Sequence, residues 1–293
     1  MDGFINVLKP PGMSSHDVVG FIRRVYDTKK VGHAGTLDPG AAGVLPVAIG
    51  KATRLLEYIN SSGKAYRAEV SFGMETDTCD DLGNVVRSKA DFSLPDDDAL
   101  RHVLSSFEGK IKQVPPVYSA LKINGEHAYD LARENENVVL PERTIEIHKI
   151  CLVKRYDTRI IIDVDCSKGT YIRSLCRDIG KRLDIPATMS FLIRRRAGAF
   201  PIEDALTLEE IEAAKEAAVQ APEKYLSLLP KYILPENRIK PFINGLPTHI
   251  ADAEFSDDER VVIFAPNGVF IGVSHFDGST SSIVPDKIYT NIL

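Results

Sequence analysis

From Lys64 to Met74 the chain alternates: Tyr66, Ala68, Val70 and Phe72 are apolar, while Arg67, Glu69 and Ser71 between them are polar. A period of two puts the two sets on opposite faces of one strand, so the stretch predicts a half-buried strand in a sheet with one polar face. Other runs extend the pattern. Gly3 to Leu8, Val44 to Ile49, Arg143 to Cys166 (two strands) and Ala187 to Phe200 read as further strands. Helices are predicted from Ser14 to about Tyr26, where Ser14 and Asp17 have capping-box spacing, and over Lys51–Ile59, Pro95–Phe107 and Thr170–Leu183. Thr207 and Glu210 open another, to about Ala218, and Val31 to Gly43 reads as a loop of glycine and small residues. Strands and helices do not alternate as strict βαβ units, so the fold class is α+β with a mixed, largely antiparallel central sheet flanked by helices. Beyond a boundary near 220–235, short apolar runs at Val261–Ala265, Val269–His275 and Ser282–Val284, separated by turn signals, predict a small β-rich module.

The 293 residues carry a formal net charge of −5, which taken alone argues against a polyanionic partner. The charge is segregated, however. Residues 143–200 hold 13 Lys/Arg against 6 Asp/Glu, and residues 201–293 hold 7 against 15. A ligand meets the local field rather than the total, so a fold that gathers the basic stretch on one face can still bind phosphate. No apolar run approaches the roughly 20 residues of a membrane helix. The N-terminal residues have neither a basic region nor a cleavable apolar stretch, which predicts a cytoplasmic, non-secreted chain. Cys79, Cys151, Cys166 and Cys176 form no C-x-x-C pair, so reduced thiols are expected rather than a zinc site or disulfides.

The stretch Gly32 to Pro46 is the most informative. It lacks the phosphate-loop and G-x-G-x-x-G patterns, and no G-x-S-x-G elbow occurs in the chain. What remains is one acid, Asp38, among glycines and prolines that let backbone approach a ligand. Local spacing leaves Asp38 open between a turn cap and a catalyst. Tyr66 is equally open between a core aromatic and a stacking platform, and Arg173 between a surface charge and a site residue. Asp80 reads as well as a solvated turn.

His33-Ala34-Gly35-Thr36-Leu37-Asp38-Pro39 resembles the catalytic loop of the TruB-type tRNA pseudouridine synthases. Four further segments resemble the same family in the same order. They are Lys9-Pro10-Pro11-Gly12-Met13-Ser14-Ser15; Lys64 to Ala68 with Thr76 to Asp80; Pro115 to Lys122 with Gly125, Tyr129, Ala132 and Arg133; and Lys168-Gly169-Thr170-Tyr171-Ile172-Arg173. The third resembles an insertion of the bacterial stand-alone members; Asn135 departs from it where the family often has Gly.

The resemblance implies a pseudouridine synthase-like catalytic domain over residues 1–228, with an insertion at about 108–142, and a PUA-like RNA-binding domain over 229–293. It implies isomerisation of uridine to pseudouridine in the T loop of tRNA, position 55, without cofactor or metal. Asp38 would be the catalytic carboxylate, with Arg173 keeping it ionised and Tyr66 stacking on the base. Tyr171 would pack behind Arg173, and Leu192 would touch the base from the apolar side. His33, Lys9, Asp80, Lys122 and Arg194 would hold or order the RNA site. The implied partner is a tRNA T stem-loop bound by a monomer that needs no membrane and no protein partner. The competing readings are a non-catalytic RNA-binding protein, a guide-RNA-dependent synthase and, more distantly, a glycoside hydrolase, for which no second carboxylate pairs with Asp38.

Overall fold

The computed structural model describes residues 1–60, 63–118, 122–123, 126–127, 140–251 and 254–289. Along the chain come β1 (Gly3–Lys9), α1 (Ser15–Val25), β2 (Val31–His33), β3 (Ala42–Ile49), α2 (Leu56–Asn60), β4 (Lys64–Phe72), β5 (Met74–Thr76) and β6 (Val85–Ser88). Then follow α3 (Asp97–Ser105), β7 (Gly109–Gln113), β8 (Lys122–Ile123), β9 (Glu126–His127), β10 (Arg143–Arg155), β11 (Arg159–Cys166), α4 (Ile172–Arg182), β12 (Ala187–Ala197) and β13 (Phe200–Pro201). The last part holds α5 (Leu208–Ala214), β14 (Lys231–Ile233), α6 (Glu236–Ile243), β15 (Thr248–His249), β16 (Arg260–Phe264), β17 (Phe270–Asp277) and β18 (Ser282–Ile288). Contacts divide the chain into two compact units. Unit 1 is Met1–Asp38, Val44–Ser61 and Ala197–Leu293; unit 2 is Pro39–Gly43 and Ser62–Arg196.

In unit 1, β1 lies beside β3, and both are buried on their two faces, which is why Val44 to Ile49 is an unbroken apolar run. Ile5, Val7, Leu45, Val47 and Ile49 pack with Val18, Val19 and Ile22 of α1 and Ile211 of α5. Phe4, Val44 and Ala48 face the other way, toward Phe200, Tyr225, Val262 and Phe270. Phe200 stacks on Tyr225 with centroids 3.7 Å apart, and Phe4 meets Phe200 edge-on. Returning backbone covers β1: Phe4 and Gln220 exchange two hydrogen bonds, of 2.9 and 2.8 Å, and Leu206 bonds Leu8 and Asn6. Helix α1 starts where predicted, with both bonds of the Ser14–Asp17 capping box present, a device worth about 1 kcal/mol. The sheet of the C-terminal stretch has the order β14-β16-β17-β18-β15 and encloses its own core of Phe242, Val261, Ile263, Ile271 and Ile283.

Unit 2 is built on the strand order β12-β4-β11-β10-β7. The β4–β11, β11–β10 and β10–β7 pairings are antiparallel, and residues 42–43 pair in parallel with 193–194, so the sheet is mixed. Along β4 the predicted face (Tyr66, Ala68, Val70, Phe72) is the buried one. Helices α3 and α4 pack against the sheet, α3 on β10 and α4 on β4. The opposite face carries paired charges: Arg67 chelates Asp163 through two 2.7 Å bonds, Arg195 adds a third at 2.9 Å, and Arg196 pairs with Asp165.

Two local expectations change. The loop expected over 31–43 begins as a three-residue strand, Val31–His33, held against β3, and β3 starts two residues early at Ala42. The helix expected from Lys51 is a tight 3₁₀ run, Gly50–Leu55, before α2. Gly50 has φ +61°, and a side chain there would run into the Met1 carbonyl oxygen, so the chain enters this helix through a constrained turn. All four cysteines are free thiols. Among the described residues, no helix is long and apolar enough to cross a membrane.

Candidate active site

Asp38 is half-buried in the loop between β2 and β3, at the end of a stretch that unit 1 holds from two directions. The Ala34 amide donates to the Pro46 carbonyl at 2.9 Å. Ser15, the first residue of α1, accepts from the Leu37 amide at 2.9 Å and donates to the Leu37 carbonyl at 3.0 Å. The residue preceding Asp38 is thereby bonded through both its backbone groups to one buried hydroxyl. Lys9 is fully buried, and its Nζ donates to the carbonyls of Pro10 and Met13 at 2.8 and 2.6 Å. It ties down the turn that delivers Ser14 and Ser15 to the start of α1. His33 sits half-buried on β2, its backbone paired with Val47.

Sequence reasoning missed Ser15. It placed Ser14 at the cap and gave Ser15 no role of its own, and the partner of that second hydroxyl is 22 residues away. Ser15→Ala would leave both buried Leu37 backbone groups without that hydroxyl, costing about 1–3 kcal/mol. The expected result is a melting temperature several degrees lower, with kcat falling about tenfold and KM little changed. Unchanged kcat would mean that the clamp does not position Asp38.

In unit 2, α4 organises the remaining groups. Tyr171 stands at its N-cap, with its backbone amide and carbonyl both held by the buried Gln113 side chain, at 2.9 and 3.1 Å. Two residues on, the buried Arg173 guanidinium donates to the Thr78 carbonyl at 3.2 Å, to the Tyr118 carbonyl at 2.9 Å and to Asp80 Oδ2 at 3.5 Å. Asp80 is thus an ion-pair partner of Arg173 rather than a solvated turn residue. Its Oδ1 accepts from the Thr78 hydroxyl and the Leu82 amide, which closes the 76–82 turn around the guanidinium. The Thr78 and Gln113 contributions were also missed, because single backbone carbonyls and a lone amide leave no pattern in a sequence.

Tyr66 and Leu192 are both almost fully buried. Arg194, assigned by resemblance to RNA in the basic run with Arg195 and Arg196, is not on the surface: it is 0% exposed. Its guanidinium hydrogen-bonds the Tyr66 side chain, and burial pulls its pKa below the usual arginine range while Tyr66 opposes the shift. Residue 194 follows Leu192 by two on a strand, which turns both inward. Gly43, four residues after the segment leaves Asp38 at Pro39, pairs with Arg194. Of the insertion, Lys122 is paired in register with His127. The positions of Gly125, Tyr129, Ala132 and Arg133 lie outside the described residues.

Residues 23–172 match the model of the TruB family pseudouridylate synthase N-terminal domain. The chain belongs to the TruB family. Residues 173–239 match the tRNA pseudouridylate synthase B C-terminal domain. The tRNA pseudouridine synthase B of Caldanaerobacter subterraneus is 44% identical over 293 residues, covering 99% of each chain. That of Symbiobacterium thermophilum is 49% identical over 234 residues, 79% of this chain and 78% of the relative. Among solved structures, a chain of a Cbf5–Nop10–Gar1 complex superposes with a TM-score of 0.77 at 28% identity, covering 98% of this chain and 85% of that one. A chain of an H/ACA RNP bound to a substrate RNA gives 0.76 at 25% identity, with the same coverage. The family carries the pseudouridine synthase fold that the α+β pattern led to.

Proposed function

We propose that the protein isomerises uridine to pseudouridine in the T loop of tRNA, at position 55, as a monomer in the cytoplasm, with no protein partner and no cofactor. The observation that carries the proposal is the double anchoring of the Asp38 loop, at Leu37 and at residues 42–43, in a chain of this family. A carboxylate carried on backbone held at both ends is suited to one atom of a bound substrate rather than to general solvation.

The reaction breaks the N-glycosidic bond, turns the uracil, joins its C5 to the ribose C1′ and moves the C5 proton to solvent, with N1 gaining a proton. No atom is gained or lost overall. Asp38 acts at the ribose or the base as a carboxylate, and each of its possible uses (attack at C1′, attack at C6, removal of a sugar proton) requires it ionised. Arg173 supplies the fixed positive charge that favours that state. The target nucleotide leaves the loop to reach Asp38, and stacking on Tyr66 with apolar contact from Leu192 offsets the few kcal/mol of unstacking. His33, Lys9 and Lys122 support the opened RNA loop, and residues 229–293 act as a PUA-like RNA-binding domain. Recognition is by loop shape and flipped bases.

The test is the purified chain alone with a T-stem-loop transcript. Pseudouridine mapped to the T-loop uridine is the expected result. Turnover that appears only after a guide RNA and partner proteins are added would replace this reading with that of a guide-dependent enzyme. Binding without any turnover would favour a non-catalytic RNA-binding protein.

A further inference from the structure

At the end of β4 the Lys64 side chain is half-buried, two residues before Tyr66 and opposite Cys166 in the antiparallel ladder. Among the described residues its Nζ has no carboxylate within ion-pair distance. The charged groups around it are cations: Arg194 from β12 and Lys168 from the turn after β11 both repel it. The remaining neighbours do not compensate. Burial pushes the Cys166 thiol up to about 11, which keeps it neutral at physiological pH. Asp165 is taken by Arg196 at 2.7 Å. Tyr66 is held by Arg194.

A second unpaired cation reaches the same turn. Ser167 exchanges hydrogen bonds with the backbone of Glu146, which seats the turn on the first half of β10. From there Arg143 extends until its Nη1 lies 3.8 Å from where a Cβ on Gly169 would stand, with its Cζ 5.8 Å from the Tyr171 ring centroid. The Arg143 Nε is buried without a hydrogen-bond partner. Among the described residues, neither Glu146 nor any other carboxylate forms an ion pair with Lys64, Lys168 or Arg143.

Three cations around one turn, with no carboxylate paired to any of them among the described residues, set up a local positive field that favours an arriving anion. We propose that Lys64, Lys168 and Arg143 form a subsite for a backbone phosphodiester of the substrate RNA. The subsite rests on the RNA-modifying function argued above. Desolvation, followed by repulsion from Arg194 and Lys168, pulls the Lys64 pKa down to about 8. An arriving phosphate pulls it back up, so RNA binding takes up a proton when the free protein is above that pH.

The experiment measures the dissociation constant of a T-stem-loop RNA for wild type, Lys64→Gln and Lys64→Arg, from pH 6.5 to 9.5 and across salt concentrations. Wild-type affinity is expected to fall by up to about tenfold per pH unit above 8, and Lys64→Gln to be flat over that range. The slope of log affinity against log salt should shrink by about 0.7–0.9 in Lys64→Gln, one phosphate contact. Lys64→Arg should restore the slope and abolish the pH dependence. Lys64→Met should melt at a higher temperature than wild type at pH 7, because it removes an uncompensated buried charge; a lower melting temperature would show that the ammonium has a structural partner. An unchanged salt slope and pH profile in Lys64→Gln, in a protein that still converts the RNA, would overturn the subsite alone. Failure of wild type to convert the RNA would instead overturn the function on which it rests.

Discussion

Asp38→Asn is expected to abolish pseudouridine formation, by at least roughly 10⁴-fold in single-turnover rate, while the T stem-loop still binds within a few-fold of wild type. The substitution is nearly isosteric. It keeps a polar group at a half-buried position and leaves the Ser15–Leu37 clamp and the Gly43–Arg194 pairing intact. What it removes is the negative charge, and an amide can neither attack the sugar or the base nor accept a sugar proton. Rate and affinity therefore separate cleanly: a residue used for binding alone would raise the dissociation constant and spare the chemistry. Conversion at more than a tenth of the wild-type rate would remove Asp38 from catalysis.

The second large effect is expected at Gly43. Its φ is +110°, and a Cβ there would stand inside the Arg194 carbonyl oxygen and 2.7 Å from the Arg194 amide nitrogen. Both penalties act on rigid backbone. The positive φ alone costs on the order of 1–3 kcal/mol, and the neighbouring strand cannot yield without moving Leu192 and Arg194. Gly43→Ala is therefore expected to cost more than about 4 kcal/mol, seen as a fall of roughly 10 °C or more in melting temperature. In the fraction that folds, kcat should drop more than KM rises, because the displaced strand carries the arginine that holds Tyr66. A melting temperature within about 2 °C of wild type would show that the two strands separate freely at this crossing.

Much of this was legible in the chain itself where a local pattern carries the information. The β4 alternation put Tyr66 on the buried face, and the Ser14–Asp17 spacing set the start of α1, because both are decided within a few residues. Three-residue β2 falls below any periodicity window, and its strand character comes from β3. Arg194 is the instructive case. The resemblance put Arg194 of a basic run at the RNA, yet the period of two that places Leu192 inward also places Arg194 inward. Ser15 and Gln113 were not legible at all, since their partners lie 22 and 58 residues away. Nothing local distinguishes a hydroxyl or an amide that will meet a backbone group across the fold.

The bonds of Phe4 to Gln220 and of Leu8 to Leu206 set an order of assembly during synthesis. A ribosome emits β1, the Asp38 loop and β3 first, and then every residue of unit 2, before the segments that cover β1 exist. Until then β1 is an open strand edge, able to pair with a neighbouring nascent chain. The strand beside the Asp38 loop is thus among the first parts translated and among the last to be sealed. A ribosome that stalls near residue 200 leaves a chain in which unit 2 is entirely translated and β1 remains an exposed template for aggregation.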